Sequence, residues 1–378
     1  MKLFDVYSLQ NINLVKGEGS WVWDDQGTRY LDLYGGHAVI SIGHNHRLFV
    51  QALKEQLEKI SFYSNSVLNP LQDQLAERLG RLSGYPDYNL FLVNSGAEAN
   101  ENALKIASFV TGRKKVVAFR KAFHGRTSGA VAITDNPKIV APFNAGHEVE
   151  FLPFNDIDTL RQRMDSSVAA VIIEGIQGVA GIQVPEPAFL QAIEAECNRT
   201  GALLILDEIQ SGYGRTGQFF AHQHAGIRPH LITMAKGMGN GFPIGGVLIH
   251  PDIKATGGML GTTFGGNHLA CAAALAVLQA IENQNLLLNA STVGSYLIEK
   301  LSGHGFLGPI RGRGLMIGFD VPEFKSNLRA ELLNKYKIFT GEAKPNVIRL
   351  LPSLALSRQE ADVFLEALSV ELQALAVA

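Results

Sequence analysis

An amine that can condense with a carbonyl, a carboxylate that can hold a cationic ring and a helix start that can seat a phosphate make up a usable chemical set. The sequence places one of each directly behind an apolar run. Lys236 follows Leu231-Ile232-Thr233-Met234-Ala235, and Gly237, Gly239 and Gly241 behind it allow a tight backbone turn. Such a lysine is either a snorkelling surface residue or a Schiff-base nucleophile. Asp207 ends Ala202-Leu203-Leu204-Ile205-Leu206 and precedes Glu208-Ile209-Gln210. A carboxylate at the end of a buried strand is costly unpaired, so Asp207 calls for a structural cation or a protonated ring nitrogen. Behind Phe91-Leu92-Val93 comes Asn94-Ser95-Gly96-Ala97-Glu98-Ala99-Asn100. Ser95 and Glu98 read as a capping box, and Gly96-Ala97 expose the first orphan N–H groups of a helix. The pattern suits an ordinary cap and a phosphate site alike. Phe123-His124-Gly125-Arg126-Thr127 adds an aromatic face and a guanidinium just past the run ending near Phe119.

These residues need elements that bring strand ends together. Asn89–Val93, Lys115–Phe119, Ala169–Glu174, Ala202–Asp207 and Leu231–Ala235 are short and mostly apolar on both faces, as strands of a covered parallel sheet are. Between them, segments such as Ala99–Phe109 and Phe189–Arg199 repeat apolar residues at helical spacing. The alternation is α/β, and ligands of such sheets bind beyond the C-terminal strand ends. The two ends of the chain read differently. Trp21–Asp24 and Tyr30–Tyr34 flank Gly27 as a hairpin, followed by a helix carrying Phe49, Leu53, Leu57 and Ile60. Ser357 and Glu360 form a capping box ahead of Phe364, Leu368, Leu372 and Leu375. The expected organisation is a large central α/β domain over residues 48–270, with a small α+β domain built from residues 1–47 and 271–378.

Composition excludes several classes of function. The 378 residues are 46% hydrophobic and 18% charged, and 33 basic against 35 acidic side chains leave a charge of −2, with no polybasic field for nucleic acid. The longest nearly apolar run, Leu269 to Ile281, is shorter than the roughly 18–20 residues of a membrane span. The first residues, Met1-Lys2-Leu3-Phe4-Asp5-Val6-Tyr7, read as neither signal nor transit peptide, and two cysteines, Cys197 and Cys271, make no disulfide framework. A cytoplasmic location is expected. No metal is expected, because His44/His46 and His222/His224 lack a third ligand in pattern. Gly212-Tyr213-Gly214-Arg215-Thr216-Gly217 fits the dinucleotide fingerprint, but Asp207 and Glu208 precede it, no clear helix period follows, and Lys236 stands where a ribose-binding acid belongs.

The motifs Asn94–Asn100, Phe123–Thr127, Asp207–Gly212, Ala235-Lys236-Gly237 and Gly261-Thr262-Thr263-Phe264-Gly265-Gly266-Asn267 together resemble the class III pyridoxal-phosphate aminotransferases, most of all the acetylornithine and succinylornithine group. The resemblance runs over essentially the whole chain and implies the type I pyridoxal-phosphate fold in a homodimer with active sites at the interface. It implies that Lys236 carries the cofactor as a Schiff base and later moves the proton, and that Asp207 pairs with the ring nitrogen. Gln210 then reaches the 3-hydroxyl, Phe123 stacks on the ring, and Gly96 and Ala97 donate to the phosphate. Ser95, His124 and Glu208 belong to the same cofactor-binding set, and Thr263 holds the phosphate of the neighbouring subunit. Arg126 takes the α-carboxylate of an acylornithine with Thr262 nearby, and Arg349 takes that of glutamate or 2-oxoglutarate. Glu174 and Tyr63 complete the substrate set, Tyr63 resembling a tyrosine that helps select free ornithine.

The chain departs from the family at one place. Relatives read Glu-Pro-x-Gln-Gly-Glu where this sequence has Glu174-Gly175-Ile176-Gln177-Gly178-Val179. Without the second glutamate, either another acid covers Arg349 or the arginine stays available, and an N-succinyl donor with its extra carboxylate becomes a natural candidate.

Overall fold

A computed structural model describes residues 1–373. The chain opens with an antiparallel meander, β1 (Leu14–Glu18), β2 (Trp21–Asp24) and β3 (Arg29–Asp32), followed by α1 (Gly35–Ala38), α2 (Arg47–Leu57) and α3 (Pro70–Ser83). Next come β4 (Asn89–Val93), α4 (Gly96–Thr111), β5 (Lys115–Phe119), α5 (Ser128–Ala132), β6 (Val149–Leu152), α6 (Ile157–Arg163) and β7 (Val168–Glu174). The central part closes with α7 (Pro187–Thr200), β8 (Leu203–Asp207), β9 (Leu231–Met234) and β10 (Gly245–Ile249). α8 (His268–Asn283) and α9 (Leu286–Ser302) lead to β11 (Ile310–Arg313), β12 (Met316–Asp320), α10 (Leu328–Tyr336), β13 (Ile338–Phe339), β14 (Gly341–Ala343), β15 (Val347–Leu350) and α11 (Arg358–Gln373).

The seven central strands form one sheet in the order β4-β10-β9-β8-β7-β5-β6. β5 to β9 pair in parallel, and every residue of β7 and β8 is buried, which is why these strands read as unbroken apolar runs. Two of these seven strands carry no clear strand signal in the sequence. β10 runs antiparallel between β4 and β9, and its Gly245-Gly246 start carries no strand signal; β6 alternates Val149-Glu150-Phe151-Leu152 over only four residues. Because β10 is reversed, β4 points the same way as β9. Its C-terminal end therefore joins those of β5, β7 and β8 on one edge.

Both chain ends contribute to smaller sheets. β13 pairs in parallel with β3, matching Ile338 to Leu31 and Phe339 to Asp32, and β11-β12-β15-β14 form a second four-stranded sheet. Ser357 and Glu360 cap α11 reciprocally, and the same carboxylate accepts the Trp21 indole N–H at 2.8 Å. The apolar face expected on α2 stops early: the helix ends at Leu57, which is exposed, and Ile60 lies beyond it. Leu375 lies outside the described residues. The expected boundaries at 47/48 and 270/271 fall inside the first turns of α2 and α8 rather than in linkers. Among the described residues no single helix is long and apolar enough to cross a membrane, and α8, the most apolar, is packed into the core.

Candidate active site

At the shared C-terminal edge of the sheet lies a cavity of about 300 Å³. Ser95, Gly96, Ala97, Phe123, His124, Glu174, Asp207, Gln210 and Lys236 line it, so the ends of β4, β5, β7, β8 and β9 meet there. Lys236 sits two residues after β9 with φ 45°, a left-handed conformation that aims a non-glycine residue out of the strand direction. Gly239 behind it has no room for a side chain, since an added Cβ would overlap the Phe242 carbonyl. Burial pulls the Lys236 amine below the ordinary lysine value; Asp207 and Glu174 oppose that shift, while Arg349 and Arg215 add to it.

Asp207 finds partners that the sequence reading did not foresee. Its Oδ2 accepts from His124 Nδ1 at 2.7 Å and from Asn100 Nδ2 at 2.8 Å, and Oδ1 accepts from the Ile209 N–H at 3.0 Å. The carboxylate thus lies in the wall fully braced, with capacity left toward the cavity. Asn100 is completely buried and also touches the Thr233 hydroxyl. The signals that could have revealed this pair are a polar residue in the first turns of a buried helix and a lone threonine within the apolar run of β9.

The N-terminus of α4 faces the same cavity. Ser95 caps it by accepting from the Glu98 N–H at 3.2 Å, while the Glu98 carboxylate returns to the Asn94 N–H at 3.0 Å, one residue earlier than a standard capping box. The N–H groups of Gly96 and Ala97 have no acceptor among the described residues. A Cβ on Gly96 would come within 2.8 Å of Ile209, so glycine there is a packing requirement. Glu174 accepts from the N–H groups of Phe123 and Gly178, and burial raises its carboxyl to about 7. Gln210 donates to the His37 carbonyl at 3.1 Å and rests its own amide oxygen against Gly178.

Arg349, on β15, is buried beside this group. Its Nε donates to the Glu342 carbonyl at 2.9 Å, Nη1 to the Gly178 carbonyl at 3.0 Å and Nη2 to the Tyr34 hydroxyl at 3.4 Å. All three acceptors are neutral oxygens. Among the described residues no carboxylate pairs directly with Arg349 in place of the acid missing at Val179, although Glu174 and Glu342 act on it at longer range, and Val179 itself lines the cavity.

Glu208 is the correction in the cofactor set. Neighbouring strand residues point to opposite faces, so with Asp207 in the cavity Glu208 turns away. It accepts from Ser211 Oγ, the N–H groups of Ala221 and His222, and His222 Nδ1, leaving nothing for a ligand. Thr263, Arg126 and Tyr63 are exposed and lie outside the cavity of this single chain. Thr262 is half-buried, accepts from the Gly265 N–H and also stays outside the cavity wall. The stretch Gly212–Gly217 opens no helix: Gly214 and Gly217 make positive-φ turns and Arg215 is buried, donating to the Pro352 carbonyl. The histidine pairs are engaged elsewhere, His44 with Asp32 and His222 with Glu208.

The wall fits pyridoxal 5′-phosphate: an amine, a braced carboxylate, an aromatic face and two free N–H groups at a helix start meet in one cavity. Fold and site together define a pyridoxal-phosphate-dependent enzyme of the type I fold. The chain belongs to the class-III aminotransferase family, which it matches over residues 5–372. It is 43% identical to the acetylornithine aminotransferase of Archaeoglobus fulgidus, with 96% of each chain covered. It is 40% identical to a LysW-aminoadipate semialdehyde/glutamate semialdehyde transaminase of Sulfolobus acidocaldarius, with 94% of each covered. A solved ornithine aminotransferase from Toxoplasma gondii, described with pyridoxal phosphate at its active site, superimposes with a TM-score of 0.89 at 29% identity, covering 97% of this chain and 92% of its own.

Proposed function

We propose that this aminotransferase moves the side-chain amino group of N2-acetylornithine or N2-succinylornithine to 2-oxoglutarate, giving the N-acylglutamate semialdehyde and glutamate, reversibly, in arginine metabolism in the cytoplasm. The observation that carries the reading is Arg349: a buried guanidinium near Lys236, set behind the cavity wall, is hydrogen-bonded to neutral oxygens only and has no carboxylate paired to it. The relatedness to acetylornithine aminotransferase supports the donor class. Free ornithine or another ω-amino acid is the alternative donor, with Tyr63 as the residue that would help select it.

When bound, the cofactor supplies a reactive aldehyde and an electron-withdrawing ring. In this reading Lys236 binds that aldehyde through an amine that burial makes easier to deprotonate, and then carries a proton at the carbon bearing the transferred nitrogen. Asp207 holds the proton at the ring nitrogen, with His124 bracing it, and Gln210 reaches the ring hydroxyl. Phe123 covers one ring face, and Ser95, Gly96 and Ala97 bind the phosphate, joined by Thr263 of a second copy. Arg126 and Thr262 take the α-carboxylate of the donor; Arg349 takes that of glutamate or 2-oxoglutarate, near Glu174. The homodimer and the division into residues 48–270 and 1–47 with 271–378 belong to the same proposal, the latter supported by the β3–β13 pairing. With Val179 leaving Arg349 uncovered, an N-succinyl donor is favoured over an N-acetyl one.

The test is kcat/KM for N-acetylornithine, N-succinylornithine and ornithine, each with 2-oxoglutarate, together with loss of the coloured cofactor band in single turnover. A succinyl preference is expected. Equal or better use of the acetyl donor removes the role given to Val179, and preference for ornithine removes the acylornithine reading.

A further inference from the structure

The amide of Asn100 can be oriented in only one way. One of its ends lies 2.8 Å from the His124 backbone carbonyl, which can only accept, so that end is the nitrogen. The same nitrogen reaches Asp207 Oδ2 at 2.8 Å with its second hydrogen. The other end, Oδ1, receives the Thr233 hydroxyl at 2.7 Å. Asn100 and Thr233 are both completely buried, so neither bond is shared with solvent. Every donor and acceptor of the amide is thereby assigned except one lone pair.

This fixes what Asp207 can be. Oδ2 accepts from an N–H of Asn100 and, in the tautomer that carries its proton on Nδ1, from His124, and the Ile209 N–H occupies one side of Oδ1. The charged or titratable groups around it are His124, Lys236 and Glu174. We propose that Asn100 and Thr233 are positioning residues: the hydroxyl of Thr233 locks the Asn100 amide nitrogen-first onto Asp207, keeping that side chain a carboxylate whose remaining lone pair can hold a proton on the ring nitrogen of the cofactor. Neither residue lines the cavity, and both act through Asp207. The inference rests on Asp207 facing the ring nitrogen. A merely structural role, tying α4 to β8 and β9, would stabilise the protein without changing the ring.

The experiment loads pyridoxal 5′-phosphate carrying nitrogen-15 in the ring into the wild type, Asp207→Ala, Asn100→Leu, Thr233→Val and Thr233→Ser, and follows the ring-nitrogen resonance across roughly pH 6 to 9. The wild type and Thr233→Ser should show a protonated ring. Asp207→Ala should lose it. Asn100→Leu, which keeps the side-chain branching but donates nothing, should shift the protonation ratio toward the neutral ring by about tenfold or more, with Thr233→Val changing it in the same direction by less. If Asn100→Leu does not fold, Thr233→Val against Thr233→Ser decides. An unprotonated wild-type ring, or an unchanged Asp207→Ala, removes the Asp207 role and the inference with it. Loss in Asp207→Ala with wild-type resonances in Asn100→Leu and Thr233→Val overturns the amide lock alone.

Discussion

A side chain here is defined by what it can no longer bond to. Asp207, Glu174 and Arg349 are all largely buried, and each is held in place by hydrogen bonds to neighbouring groups. Lys236→Ala should lower turnover on the order of a thousandfold or more, since the amine both binds the cofactor and moves the proton; steady-state assay of cofactor-saturated protein checks it. Arg349→Ala should raise KM for 2-oxoglutarate and glutamate on the order of tenfold to a hundredfold, with less effect on the acyl donor, because one charge-assisted carboxylate contact is lost. Substrate-by-substrate kinetics separate the two. Glu174 makes a pH prediction. Burial, against the opposing field of His124 and with Asp207 adding to it, raises its carboxyl to about 7 from 4.5, so the folded cofactor-free protein holds this proton more tightly than the unfolded chain. The resulting stability is present below about 4.5 and is lost as pH rises toward about 7, on the order of 3 kcal/mol in all. Urea unfolding at several pH values should show Glu174→Gln without that part of the slope.

Elements explain which of these residues could be read in advance. Lys236, Asp207 and Gly96 stand out in the sequence because each lies at the end of, or within three residues after, a strand of four or five mostly apolar residues, and such strands leave little choice about where they end. Glu208 was misread for the complementary reason: its distance along the chain from the site is one residue, but the pleat sends it to the opposite face. Asn100 and Thr233 went unrecognised because their partners are 107 and 133 residues away in pairings with Asn100, a proximity no local pattern carries. β10 carries no strand signal because glycines begin it, although the first of them, Gly245, admits the Ser95 and Met234 carbonyls to within about 3 Å of where a Cβ would sit. A packing prediction belongs at this scale. Gly294 on α9 lies directly against the backbone of Gly314, whose neighbour Leu315 donates to the Arg215 carbonyl. Gly294→Ala should therefore cost about 1–3 kcal/mol, read as a lower Tm, while the ring-nitrogen signature of bound cofactor stays as in wild type.

At the scale of the whole molecule, the proposed phosphate contact of Thr263 needs a second copy. Thr263 is exposed next to Phe264, whose ring packs 5.3 Å from that of Phe62, and Phe62, Tyr63, Leu68 and Phe264 leave apolar surface facing outward. Light scattering should give twice the 40.9 kDa of one chain. Thr263→Ala should weaken cofactor binding by about tenfold, the scale of one phosphate hydrogen bond to a charged group, without altering the protonation of the ring. A monomer with full cofactor affinity would remove the shared phosphate site.

The bond between Trp21 and Glu360 joins residues 339 positions apart, and β3 finds its parallel neighbour β13 only near the other end of the chain. During synthesis at roughly 5–20 residues per second, the first strands therefore leave the ribosome on the order of tens of seconds before their partners exist. The central sheet, whose strands lie between them in the chain, can assemble in that interval. The beginning of the polypeptide is then among the last parts to be docked, and the Trp21 indole becomes a reporter on the completion of folding rather than on its start.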